Sequence, residues 1–211
     1  MPQIVAHRGF WWPDQRHQNH PIALDAALDR GWDVEVDVWG AHGEHLRVGH
    51  DRPETWWTPP KRTGHSRLFV HFKALDAWQG AIDALLLAGW MGHVSPFVST
   101  DTQQGETFLP EQMAVVTNSD ALTEELKQSR RAIWAEQPDG NWVTAEQIRA
   151  IQQDYERRIY VVCPELHGRI VDLGWLQEWR AADGVVTDYP NLLARVLNPD
   201  DAVVHPVGAW W

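Results

Sequence analysis

Asp33-Val34-Glu35-Val36-Asp37-Val38 decides how this chain is built. Side chains alternate across a β-strand, so residues two apart share one face. The three valines therefore turn to one side, where helices can cover them. Glu35 and Asp37 turn to the other and enter a common space. Two carboxylates at close quarters repel, and a hard divalent cation such as Mg²⁺ or Ca²⁺ relieves that repulsion. The competing explanation, two solvated charges on an edge strand, sits badly with apolar neighbours on both sides.

Working outward, the same kind of short β-rich run recurs along the chain. Strands are expected at Gln3–Ala6, Asp33–Val38, Leu68–Phe72, Val94–Ser99, Met113–Val116, Ala132–Ala135, Ile159–Val162 and Gly184–Thr187. Helical patterns fall between them, at Pro21–Arg30, Leu75–Ala88, Ser119–Arg130, Val143–Arg157, Asp172–Arg180 and Asn191–Leu197. In Val143–Arg157, Val143, Ile148, Ile151 and Tyr155 recur at helical spacing, and Thr144 with Gln147 forms a candidate capping box. Eight strands alternating with helices predict an α/β fold, a compact parallel (β/α)₈ TIM barrel occupying residues 1–211 as a single domain. An open doubly wound sheet is the alternative, but neither GxGxxG nor GxxxxGK[ST] occurs. The main excursion from the pattern is Trp39–Arg67, which contains Pro53, Pro59 and Pro60.

Composition narrows the function. The 211 residues are 44% hydrophobic and 22% charged, enough apolar content for a folded core. Their net charge of −11 disfavours binding to nucleic acid or to anionic membrane surfaces. No apolar run approaches the roughly 20 residues of a membrane span, so no stable membrane anchor is expected. The N-terminus lacks the basic-then-apolar pattern of a secretory signal, and a soluble, cytoplasmic protein is expected. Cys163 is the sole cysteine, which excludes an intrachain disulfide and a multi-cysteine metal cage. Fourteen tryptophans are an excess, and Trp11-Trp12, Trp56-Trp57 and Trp210-Trp211 come in pairs. The pairs lie in polar, proline-bearing stretches and could line the mouth of a site, whereas isolated tryptophans are expected in the core.

In a barrel of this type, chemistry collects at the carboxyl ends of the strands. Those ends carry His7-Arg8, Glu35 and Asp37, His71 and Lys73, Asp101, Glu136, Glu165 and Asp188. His71-Phe72-Lys73 repeats the alternation of the second strand, with both polar groups facing inward. A buried ammonium needs anions, which Glu35, Asp37 or a substrate phosphate would supply. His7 and His50 complete the set; two histidines across a site can act as base and acid in turn, and Asp51 could orient His50.

The motifs Ile4-Val5-Ala6-His7-Arg8-Gly9, Glu35-Val36-Asp37-Val38, Gly49-His50-Asp51 and Val186-Thr187-Asp188-Tyr189-Pro190 resemble those of glycerophosphodiester phosphodiesterases. The order and spacing are specific over residues 4–51; residues 75–160 agree only in their alternation of strands and helices. The resemblance implies a (β/α)₈ barrel that hydrolyses a small-molecule phosphodiester with one divalent cation, Mg²⁺ or Ca²⁺. It implies His7 and His50 as the acid–base pair, Arg8 and Lys73 against phosphate, and Glu35 and Asp37 as metal ligands. Two positions depart from the family pattern. Gln18-Asn19-His20 stands where relatives have Pro-Glu-Asn-Thr, and His71 stands where a carboxylate ligand precedes the lysine. Both changes remove negative charge, which weakens cation affinity or shifts preference to a metal that accepts imidazole, with His71 as third ligand. Two other readings compete: a phospholipase D-type enzyme of the same superfamily, and a barrel without catalysis that binds a phosphorylated or sugar ligand. A metal-dependent amidohydrolase is disfavoured, since its His-x-His pair after the first strand is missing.

Overall fold

The computed structural model describes residues 1–11, 14–74, 78–97, 113–118, 120, 122, 132–138, 140, 142–169 and 173–197. Strands are β1 (Gln3–Ala6), β2 (Asp33–His42), β3 (His45–Val48), β4 (Thr55–Trp57), β5 (Leu68–Phe72), β6 (Val94–Phe97), β7 (Ala114–Val116), β8 (Ala132–Ala135), β9 (Arg158–Val162) and β10 (Gly184–Thr187). The longer helices are α1 (Pro21–Leu28), α2 (Trp78–Leu87), α3 (Ala145–Asp154), α4 (Leu173–Glu178) and α5 (Pro190–Leu197).

All eight expected strands form, and they form one parallel sheet. Its order is β6-β5-β2-β1-β10-β9-β8-β7, so sequence neighbours are spatial neighbours and β1 pairs with the last strand. That order is the one a (β/α)₈ barrel requires. Among the described residues no ladder joins β6 to β7; a single backbone bond, from the Met113 N–H to the Pro96 carbonyl at 3.0 Å, crosses between them. Val98, Ser99, Asp101, most of the expected helix Ser119–Arg130, Trp12 and Trp210-Trp211 lie outside the described residues.

Alternation builds three apolar layers from this one sheet. Val34, Val36, Val38, Leu68, Val70 and Phe72 face outward and pack on Leu24 and Ala27 of α1 and Ala81, Ala84 and Leu85 of α2. Ile133, Ile159, Val161 and Val185 face outward on the opposite side, against Ile148 and Ile151 of α3 and against Trp179 and Leu193. The intervening residues Val5, Phe69, Phe97, Trp134, Tyr160, Val162 and Val186 fill the inner face. Burial of each large apolar side chain stabilises the fold by about 1.5–3 kcal/mol, which is why the period-two pattern sets the orientation of every strand. Helix α3 starts as expected: the Thr144 side chain accepts from the Gln147 N–H, and Gln147 Oε1 accepts from the Thr144 N–H at 2.9 Å.

Residues 39–67 are more ordered than the sequence suggests. β2 runs on to His42, turns back as β3 and again as β4, making an antiparallel meander on the sheet. Three of the paired tryptophans, open between core and rim on sequence, are described by the structure. Trp57 is buried, its indole N–H donating to Asp25 Oδ1 of α1 at 2.9 Å, and Trp11 is buried with its indole on the His7 carbonyl at 3.0 Å. Trp56 alone of these three is half-exposed, with the Arg47 guanidinium 5.8 Å from its ring. Both buried indoles satisfy a polar atom while filling apolar space, which outweighs any use at a rim.

Candidate active site

β2 and β5 run side by side in parallel with Asp37 opposite His71 and Glu35 opposite Phe69. This register carries the inward column of β2 directly against that of β5. Glu35 and Asp37 are 2% and 0% exposed. One oxygen or nitrogen from each of Glu35, Asp37 and His71 lies within 4.8 Å of the others, close enough for one ion to bridge all three. His71 Nδ1 is 2.8 Å from Asp37 Oδ1 and 3.9 Å from Glu35 Oε1, while Lys73 Nζ is 3.5 Å from Asp37 Oδ1. The His71 ring is stacked on Phe97, centroids 4.7 Å apart and planes 10° from parallel, and Phe97 is stacked on Trp134 in turn. That stack holds the imidazole upright beside Asp37.

The turn after β1 brings the next groups. Arg8 adopts a left-handed backbone (φ 56°), and its N–H donates to Glu35 Oε2 at 3.1 Å. Its Nε lies 3.0 Å from Asp37 Oδ2, and its Nη1 donates to Gln18 Oε1 at 3.1 Å. A left-handed conformation costs a residue with a side chain about 1–3 kcal/mol and persists where the surroundings over-determine it. Here three contacts do so. Gly9 follows with φ 89°, and a Cβ there would stand 2.6 Å from the Ala23 backbone carbon, so only glycine lets the turn lie against α1.

Asn19, itself left-handed at φ 57°, clamps Asp37 from both ends. Its amide donates to Asp37 Oδ2 at 2.8 Å, and its carbonyl accepts the Asp37 N–H at 2.9 Å. The altered Gln18-Asn19-His20 stretch therefore still serves the site, through an amide on Arg8 and a two-point hold on Asp37.

His7 and His50 arrive by different routes. His7 continues β1, with Nδ1 2.6 Å from Asp188 Oδ1 and Nε2 3.8 Å from Glu35 Oε2. His50 follows β3, where the Gly49 N–H donates to the Asp37 carbonyl at 3.3 Å and the Trp39 indole donates to the Gly49 carbonyl at 2.7 Å. Gly49 has φ 152°, and a Cβ there would meet the Arg52 carbonyl at 2.2 Å. His50 Nδ1 rests 2.6 Å from Asp51 Oδ1. Burial and then the Arg8 charge lower the pKa of both imidazoles. The bond from the Gly49 N–H to the Asp37 carbonyl puts the adjoining His50 at the same end of the sheet as the other groups.

The two carboxylates have been driven apart in acidity. Burial, then the negative charge of Asp37, pushes Glu35 well above the usual carboxylate range. Burial would raise Asp37 too, but the His71 ring and the Arg8 and Lys73 charges hold it below that range. Burial and the Asp37 charge thus favour the protonated form of Glu35, while the neighbouring cations favour the ionised form of Asp37. Asp37 Oδ1 and His71 Nε2 are buried without a well-aligned hydrogen bond. Two acidic oxygens, an imidazole and orphaned polar atoms in one buried space match the donor set of a divalent cation.

The structure thus brings together Glu35, Asp37, His71, Lys73, Arg8 and His7, with His50 beside them. The contact of Asp188 with His7 and the hold of Asn19 on Asp37 are not given by the sequence, in which Asp188 is only a strand end and Asn19 part of an altered motif. The available signal for Asp188 was its position one residue past a strand that pairs with β1.

No protein-family model and no curated protein matches the chain. Solved structures do. A protein of Galdieria sulphuraria provisionally assigned as a glycerophosphodiester phosphodiesterase superposes with a TM-score of 0.64 at 14% identity, covering 94% of this chain and 98% of that one. A provisionally assigned glycerophosphoryl diester phosphodiesterase of Silicibacter pomeroyi DSS-3 gives 0.58 at 13% identity, covering 94% of each chain. Another, of Agrobacterium tumefaciens C58, gives 0.59 at 14% identity, covering 94% of this chain and 98% of its own. At such identities the likeness establishes a shared fold over nearly the whole chain.

Proposed function

We propose that this chain is a divalent-cation-dependent phosphodiesterase of the glycerophosphodiester phosphodiesterase type, a divergent member acting on a small-molecule phosphodiester in the cytoplasm. In this reading residues 1–211 form one (β/α)₈ barrel, closed between β6 and β7. The observation that carries the reading is the convergence of Glu35, Asp37 and His71 within 4.8 Å, in contact with Arg8, Lys73 and His7.

Glu35, Asp37 and His71 would hold Mg²⁺ or Ca²⁺, or a metal more tolerant of imidazole. A bound dication would supply charge against the phosphoryl oxygens and remove the reason for Glu35 to stay protonated. Arg8 and Lys73 bring two further positive charges to the same place, positioned for the phosphate oxygens. Phosphodiester hydrolysis adds water across one P–O bond: a proton leaves the attacking oxygen, and one must reach the departing alcohol oxygen. His7 and His50 are the groups for these transfers, since His7 lies against Glu35 and His50 adjoins the Gly49 N–H bonded to Asp37. Neutral His7 accepts, and His50, two-fifths exposed at its side chain, exchanges protons with solvent.

The test is a panel of phosphodiesters assayed after chelation and after return of single metals. Hydrolysis restored by Mg²⁺, Ca²⁺ or Mn²⁺ supports the reading. Binding of phosphorylated ligands with no turnover under any metal would instead favour a non-catalytic barrel.

A further inference from the structure

We propose that Asp188 is the positioning residue of His7, holding the ring with its proton on Nδ1 so that the Nε2 lone pair faces the Glu35–Asp37 cluster. This inference rests on the phosphodiesterase reading above for its catalytic consequence, though not for its geometry.

The register of the sheet creates the pair. β1 and β10 are parallel neighbours with Ala6 opposite Thr187, so His7 and Asp188 are the next residues off the end of each strand. They are 181 positions apart in sequence and 2.6 Å apart in space. The backbone on both sides is pinned. The His7 N–H donates to the Thr187 carbonyl at 3.0 Å, and the His7 carbonyl accepts from the buried Trp11 indole at 3.0 Å. On the other strand, Thr187 Oγ1 accepts the Tyr189 N–H at 3.0 Å and donates to Glu165 Oε1, bracketing Asp188 in a tight turn.

The chemistry of the pair then follows. An ionised carboxylate can only accept, so Nδ1 must be the donor, and a neutral ring has its free lone pair on Nε2. Nε2 is the atom turned toward Glu35, at 3.8 Å. The partner of one ring nitrogen decides the tautomer at the other. His7 is 9% exposed, so its ring is enclosed by the surrounding protein.

The experiment reads the tautomer directly, by long-range ¹⁵N–¹H correlation of imidazole resonances in the full chain at about pH 8, where an ordinary imidazole is neutral. The His7 signals are identified by their loss in His7→Ala. The parent should show a protonated Nδ1 and an unprotonated Nε2, and Asp188→Ala should move the proton to Nε2 or mix the two forms. On a hydrolysed phosphodiester, Asp188→Ala should lower kcat by about 10²–10⁴-fold with KM within about threefold, the pattern of a lost proton-transfer geometry. A parent chain with the His7 proton on Nε2 overturns the proposal without any variant. So does an Asp188→Ala protein whose His7 tautomer is unchanged. The Asp188-dependent tautomer in a chain that hydrolyses no phosphodiester supports the positioning role and sinks the proposed activity, so the two failures are separable.

Discussion

Asp33 is the third acidic residue of the β2 column that carries Glu35 and Asp37, at the far end from the site, and Asp33→Asn gives a quantitative test of how this interior treats a carboxylate. Asp33 is 2% exposed; its Oδ1 accepts the Arg67 N–H at 2.8 Å, and Oδ2 is buried without a partner. Burial raises its pKa from 3.8 to about 6, against the opposing Arg67 N–H and the Arg67 and Arg158 charges. The folded value lies above the unfolded one, so the sign is the reverse of a salt-bridged aspartate. Asp33's contribution to stability is fully present below pH 3.8 and is lost as pH rises towards about 6. Across that interval, at 1.36 kcal/mol per pH unit, the loss is about 3 kcal/mol. The side-chain amide introduced by Asp33→Asn keeps a carbonyl for the Arg67 N–H and cannot ionise. Any fixed cost of burying its NH₂ is the same at every pH. Denaturant unfolding of both proteins, in chelator, from about pH 4 to 7.5 should show the variant gaining roughly 2–3 kcal/mol on the parent as pH rises. A difference flat to within about 0.5 kcal/mol would refute the reasoning and mean that Asp33 stays as well solvated as in the unfolded chain.

Three further outcomes are expected. His7→Ala and His50→Ala should each lower turnover by about 10²–10⁴-fold while leaving the fold intact by circular dichroism; near-parental activity removes that residue from proton transfer. Glu35→Gln and Asp37→Asn should abolish the activity that added Mg²⁺, Mn²⁺ or Ca²⁺ restores after chelation, and activity indifferent to exhaustive chelation counts against a cation and leaves Arg8 and Lys73 as the electrophiles. His71→Glu adds a carboxylate beside Asp37 and should tighten Mg²⁺ or Ca²⁺ in isothermal titration; unchanged affinity in that variant rules out His71 as a ligand.

Strand parity was open to reading because it is local. An inward Glu35, Asp37, His71 and Phe69 and an outward Val36 and Val70 follow from period two and a covered face, whatever the rest of the chain does. The capping box of α3 was legible for the same reason, since Thr144 and Gln147 are three residues apart. The meander β2–β3–β4 was not, because a proline-bearing stretch with few alternating residues carries little periodic signal, and its strands exist by pairing with one another. Trp57 likewise shows its burial only once β4 lies over α1 and Asp25 is there to accept the indole N–H.

What the sequence by itself determined is which residues face the inner space, and so the types of chemistry available there. Only the tertiary structure decided which of them touch. His7 meets Asp188 because the first and last strands are neighbours in register, and Asn19 clamps Asp37 because the Arg8 turn folds back under a left-handed backbone. Both contacts depend on ladders and turns between segments distant in sequence. Hydrophobic alternation sets the facing of each strand, whereas the burial of whole layers sets the order and stagger of strands against one another.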